Sequence, residues 1–164
     1  MIAKIVFLSV SEMRAIKPRL DTLVVSILDC SESHQRPILG GFRSVLCLTF
    51  EDTYEEAKLA AAGDWPDEPS SLGHKKYAQR AGERIPALSD ATQIVSFLKK
   101  HHQSTEALNL VVHCFGGISR SAAVAIWASK TFDIGISNTV SKSTERANKR
   151  LLRLMDIAGT QLQD

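Results

Sequence analysis

Residues 108–132 read LNLVVHCFGGISRSAAVAIWASKTF. Leu108–His113 is apolar without alternation, the pattern of a strand covered on both faces. Arg120–Phe132 is rich in alanine and other apolar residues, as a helix packed under a sheet would be. Between them a short glycine-containing turn carries the chain from strand end to helix start. An α/β fold places its ligands at such junctions, outside the carboxyl ends of its strands.

Outward from this stretch the strand signal repeats. Ile2–Val10, Thr22–Leu28 (TLVVSIL) and Ser44–Phe50 (SVLCLTF) are predicted buried strands. Ser11 is predicted to cap a short helix over 12–17 that Pro18 stops. Asp29–Gly41, with its Ser, Pro and paired Gly, reads as a loop. Residues 54–62 (YEEAKLAAA) are helix-prone, 63–73 (GDWPDEPSSLG) form an exposed excursion, and 75–83 are a candidate helix. Ser89 reads as the N-cap of a helix reaching His102, and the tail from Asn138 to Gln163 as one or two amphipathic helices. The alternation predicts one α/β domain over 1–164. Its core is a central, mainly parallel sheet of four or five strands with helices on both faces.

At 164 residues the chain is long enough for one domain with a proper core. A formal charge of +2 gives no basic stripe. The one cluster, RANKRLLR at 146–153, reads as a solvated helix face, so no nucleic-acid partner is expected. The N-terminal apolar run is too short to span a bilayer and lacks a cleavage site, so no membrane association is expected. Cys30, Cys47 and Cys114 are odd in number and widely spaced, which fits reduced thiols in a cytoplasm.

The chemistry lies in His113-Cys114-Phe115-Gly116-Gly117-Ile118-Ser119-Arg120-Ser121. Unpaired N–H groups of a turn entering a helix, with the helix dipole behind them, make a site for a dianion. Gly116 and Gly117 let the backbone curl around an oxyanion and take positive φ where needed. Positive potential of this kind favours the thiolate, the nucleophilic form of Cys114. Arg120 can hold two phosphate oxygens in a fork that lysine could not copy. Ser121 is placed to hydrogen-bond the departing sulfur, and His113 to orient the loop through hydrogen bonds. Taken alone, Cys114 would read as an inert buried cysteine; the register of Gly116, Gly117, Arg120 and Ser121 changes that.

HCFGGISRS resembles the HCxxGxxR[ST] signature of the protein tyrosine and dual-specificity phosphatase superfamily. It is closest to the short form HCxAGxSRS, with Gly116 where alanine is common. LVVSILD, LCLTFEDT and NKRLLRLMDIAG are also similar to small bacterial tyrosine phosphatases, and about 58–86 reads as an insertion. The resemblance implies a two-step phosphatase reaction with no metal and no cofactor. Cys114 attacks phosphorus, while Arg120 and the amides of Phe115, Gly116, Gly117, Ile118 and Ser119 stabilise the equatorial oxygens. An aspartate protonates the leaving oxygen and then activates water, a role worth roughly 10²–10⁴-fold. Asp52, directly after a strand in FEDT, is the preferred acid, with helix capping as its structural alternative. Asp67 is the other candidate: Trp65-Pro66-Asp67 spells the tripeptide of larger tyrosine phosphatases, but follows a helix-prone segment.

The expected substrates are phosphorylated proteins or peptides: phosphotyrosine first, phosphoserine and phosphothreonine as extensions. Phosphate, sulfate or vanadate would occupy the loop. Alternatives are a phosphoinositide, nucleotide or RNA 5′-phosphate substrate, a rhodanese-like sulfurtransferase, and a non-catalytic phosphate-binding module. Relatives acting on such polyanions often add basic loop residues, and Phe115, Gly116 and Ile118 supply none. Cys47 is expected to pack in the core of the strand beside the site, from where it could form a disulfide with an oxidised Cys114. His101 and His102 read as helix-end residues, and His34 and His74 lack the partners of a metal site. Lys75, Lys76 and Arg80 read as a solvated face.

Overall fold

The computed structural model describes residues 1–52, 84–138 and 141–162. Four strands, β1 (Ile2–Leu8), β2 (Thr22–Leu28), β3 (Ser44–Thr49) and β4 (Leu108–His113), form one sheet. Their order is β1-β4-β2-β3, and every neighbouring pair is parallel. β2 and β4 lie inside the sheet, which explains their unbroken apolar sequences: all seven residues of β2 are buried.

The helices among the described residues are α1 (Val10–Arg14), α2 (Leu88–His102), α3 (Arg120–Phe132) and α4 (Lys149–Gln161), with a single 3₁₀ turn at Ser33–Gln35. They flank the sheet unequally. Phe7, Val25, Leu110 and Val112 point into one core with Ile94, Leu98, Ala125, Leu151 and Met155, so the three longer helices share one face. Val24 and Val111 point the other way, onto Met13 of α1 and Phe42 of the β2–β3 connection. Each fully buried aliphatic side chain in such a core contributes about 1.5–3 kcal/mol.

Several expected boundaries move, each for a local reason. β1 ends at Leu8, and Ser9, not Ser11, caps α1: its Oγ accepts the Glu12 N–H at 3.2 Å while Glu12 accepts the Ser9 N–H at 2.7 Å. Helix α2 begins at Leu88, one residue before the expected cap Ser89, because the Asp90 carboxylate turns back to accept the Ala87 N–H at 2.9 Å. The tail carries one helix, capped by Asn148, whose Oδ1 accepts the Leu151 N–H at 2.9 Å. The RANKRLLR stretch is not a solvated face. Asn148, Arg150 and Leu151 are buried, and Arg150 Nε donates to the Pro86 carbonyl at 2.9 Å.

Cys47 also departs from expectation. It is exposed, and β3 is the sheet edge, separated from β4 by β2. Order along the chain does not dictate order across the sheet. The helix expected over 54–62, Trp65-Pro66-Asp67, His74, Lys75, Lys76, Arg80 and most of the expected insertion lie outside the described residues. Where the described chain resumes, the Arg84 carbonyl accepts the Glu51 N–H at 2.7 Å, and Arg84 Nη1 donates to Thr49 O at 2.7 Å. No helix among the described residues is long and apolar enough to cross a membrane.

Candidate active site

The loop 114–119 leaves the carboxyl end of β4 and is fastened to the β1–α1 junction. Leu8 O accepts the Cys114 N–H at 3.3 Å, and Phe115 O accepts the Val10 N–H at 3.1 Å. The need for glycine falls on Gly117 alone. Its φ is +67°, and a Cβ there would stand 2.3 Å from Ser9 N and 2.5 Å from the Leu8 carbonyl carbon. Gly116 has no positive φ, and its nearest neighbour would be the Ile118 side chain at 3.6 Å.

Cys114 is 2% exposed, and its Sγ lies 3.1 Å from the Oγ of buried Ser121. Arg120, at the first position of α3, is 3% exposed. Its Nη1 donates to Phe50 O at 2.7 Å and to the Asp29 carboxylate, and Nη2 is 3.7 Å from Glu32 Oε2. Its Nε, also buried, has no hydrogen-bond partner among the described residues. Burial, reinforced by the charge of Asp29, raises the pKa of Glu32 above the usual glutamate range.

Asp52, just beyond β3, reaches the same loop from the other side. Its Oδ1 accepts Ser119 Oγ at 2.7 Å and Asn148 Nδ2 at 2.9 Å. Ser119 stands at the N-cap of α3 but makes no side-chain cap, because its hydroxyl is turned to this carboxylate. Four elements thus converge: β3 through Asp52, β4 through Cys114, α3 through Arg120, and α4 through Asn148. Phe115 and Ile118 are exposed at the loop's outer edge.

Sequence reasoning missed Asp29, Glu32 and Asn148. For Asp29 a signal was present, since it follows the buried strand TLVVSIL just as Asp52 follows β3. His113 departs from its expected role. Neither ring nitrogen has a hydrogen-bond partner among the described residues, so no hydrogen bond to the loop is formed. Strand alternation turns it toward the thinly covered face, in register with Ser26, whose carbonyl accepts Arg36 Nη1 at 2.8 Å. Burial first, and the Arg36 charge second, push its pKa down to about 4.

No family model matches the chain, and no curated protein matches it. Among solved structures it is similar to a human tyrosine phosphatase-like serine/threonine/tyrosine-interacting protein. The two are 15% identical over 87% of this chain and 79% of that one, with a TM-score of 0.40.

No group of three or more His, Cys, Asp or Glu among the described residues could hold a metal ion. His102 stacks on Phe132 at 4.1 Å and His101 meets Phe97 edge-on, so both serve packing. The site joins a thiol, a hydroxyl partner for it, a helix N-terminus, a forked cation and a tethered carboxylate. Together they can bind an oxyanion, attack it, and move a proton.

Proposed function

We propose that this chain is a cysteine-dependent phosphatase that hydrolyses phosphotyrosine in proteins through a phosphocysteine intermediate at Cys114. The observation that carries the proposal is the buried Arg120 Nε, without a hydrogen-bond partner among the described residues and in the same loop as the Cys114 thiol. A buried donor left unmade costs about 1–3 kcal/mol, more on a charged group, and a phosphate oxygen would satisfy it.

In the first step the Cys114 thiolate forms a bond to phosphorus as the bond to the tyrosyl oxygen breaks. Asp52 gives its proton to that oxygen. In the second, Asp52 takes a proton from water, whose oxygen attacks phosphorus, and the sulfur leaves as a thiolate hydrogen-bonded by Ser121. The product is inorganic phosphate. Arg120 and the amides of residues 115–120 hold the charge on the three equatorial oxygens throughout.

The loop also speaks to substrate class. Arg120 is the sole cationic side chain in 113–120, His113 being neutral at pH 7, so nothing in the loop recruits a second phosphate group. Phe115 and Ile118, 41% and 36% exposed, offer an apolar edge to an aromatic ester.

The test is phosphate release from p-nitrophenyl phosphate and a phosphotyrosine peptide, with vanadate as inhibitor. Cys114→Ser should abolish release and still bind the peptide. Turnover that survives Cys114→Ser, or sulfur transfer from thiosulfate in place of phosphate release, would overturn the proposal.

A further inference from the structure

We infer that Asn148 is a positioning residue for the proton transfer: it fixes which oxygen of Asp52 carries the proton. The inference rests on the phosphatase reading with Asp52 as the acid. Two donors, Ser119 Oγ at 2.7 Å and Asn148 Nδ2 at 2.9 Å, meet on Oδ1 of Asp52. An oxygen receiving two hydrogen bonds has no lone pair left for a proton, so in the neutral acid the hydrogen belongs to Oδ2.

Asn148 is unable to turn away from this duty. It is 0% exposed at the N-cap of α4, its Oδ1 accepts the Leu151 N–H at 2.9 Å, and its own N–H donates to Ser119 O at 3.2 Å. Flipping the amide would set its oxygen against the Asp52 carboxylate and its NH₂ against the Leu151 N–H. Both contacts are repulsive, so the network fixes the orientation. Ser119 has no such lock, because a hydroxyl rotates freely to other acceptors. The start of the last helix therefore aims the carboxyl group.

Without Asn148 the Asp52 carboxyl keeps one donor among the described residues, Ser119 Oγ, and can swing. A misplacement near 1 Å is enough to cost about 10²-fold in a proton-transfer step. The loss must depend on the leaving group, because a basic phenolate needs the proton and an activated one does not.

The experiment compares phenyl phosphate with 2,4-dinitrophenyl phosphate in Asn148→Ala and Asn148→Ser, each alone and combined with Asp52→Asn. Serine keeps an acceptor for the helix cap, so a loss shared by both variants is not unravelling of α4. Phenyl phosphate kcat/KM should fall about 10–100-fold, and 2,4-dinitrophenyl phosphate less than about threefold. On top of Asp52→Asn, either change should add less than about twofold. Equal losses on both esters, or a full loss persisting beside Asp52→Asn, would overturn the role of Asn148 and leave the phosphatase reading standing. A native chain that hydrolyses neither ester would overturn both.

Discussion

Arg120 at the head of α3 and Asp29, one residue past β2, form an ion pair across 91 residues of chain, with only 3% and 18% of their side chains exposed. The pair restrains the guanidinium and also neutralises it while no oxyanion is bound.

Asp29→Asn should therefore weaken the ligand-free fold by roughly 2–3 kcal/mol, below the loss for a fully buried pair because Glu32 remains nearby. Vanadate or phosphate supplies the missing negative charge, so the variant should gain more in thermal stability from either anion than the native protein does. Melting curves with and without anion measure this. Equal gains in both proteins would show that the oxyanion is not held beside Arg120.

Gly117→Ala should cost about 1–3 kcal/mol, lowering Tm by roughly 2–4 °C per kcal/mol. The added Cβ meets backbone atoms of Leu8 and Ser9, which no rotamer change can clear, and φ is +67°. Gly116→Ala, whose nearest contact is a flexible side chain at 3.6 Å, should leave Tm nearly unchanged. If both variants melt alike, the close approach of the loop to the β1–α1 junction is not a constraint.

His113 gives a pH prediction with a definite sign. Its folded pKa of about 4 lies below the ordinary 6.5, so the folded state favours the neutral ring. The stability this contributes is fully present above pH 6.5 and is lost as pH falls toward 4, about 3 kcal/mol across the window. Urea unfolding at pH 7 and pH 4.5 should show the native protein losing roughly 2–3 kcal/mol more than His113→Asn does. Parallel losses in the two proteins would refute burial of an uncharged imidazole.

The parts legible in sequence were those whose causes are local. β2, β4 and α3 match their expected limits because unbroken apolar runs and a strand–helix junction leave little choice. The end of β1 and the starts of α1 and α2 shift because a cap depends on which side chain can turn back, as Ser9 and Asp90 do. What stayed hidden is non-local. The edge position of Cys47 follows from strand order, and Asn148 read as one member of a basic run until packing buried it. Asp52 was named from its place after a strand, yet the two donors that grip it come from 67 and 96 residues away.

The sheet order has a consequence for how the molecule comes into being. β4, at residues 108–113, is inserted between β1 and β2, which are not hydrogen-bonded to each other. A chain emerging from the ribosome thus holds two unjoined edges until its fourth strand, residues 108–113, has been made, and parallel pairing of such distant segments is slow. The strand that closes the gap also delivers Cys114. The thiol therefore reaches its place only once the sheet is complete, and Arg120 and Asn148, which complete its surroundings, follow later in the chain.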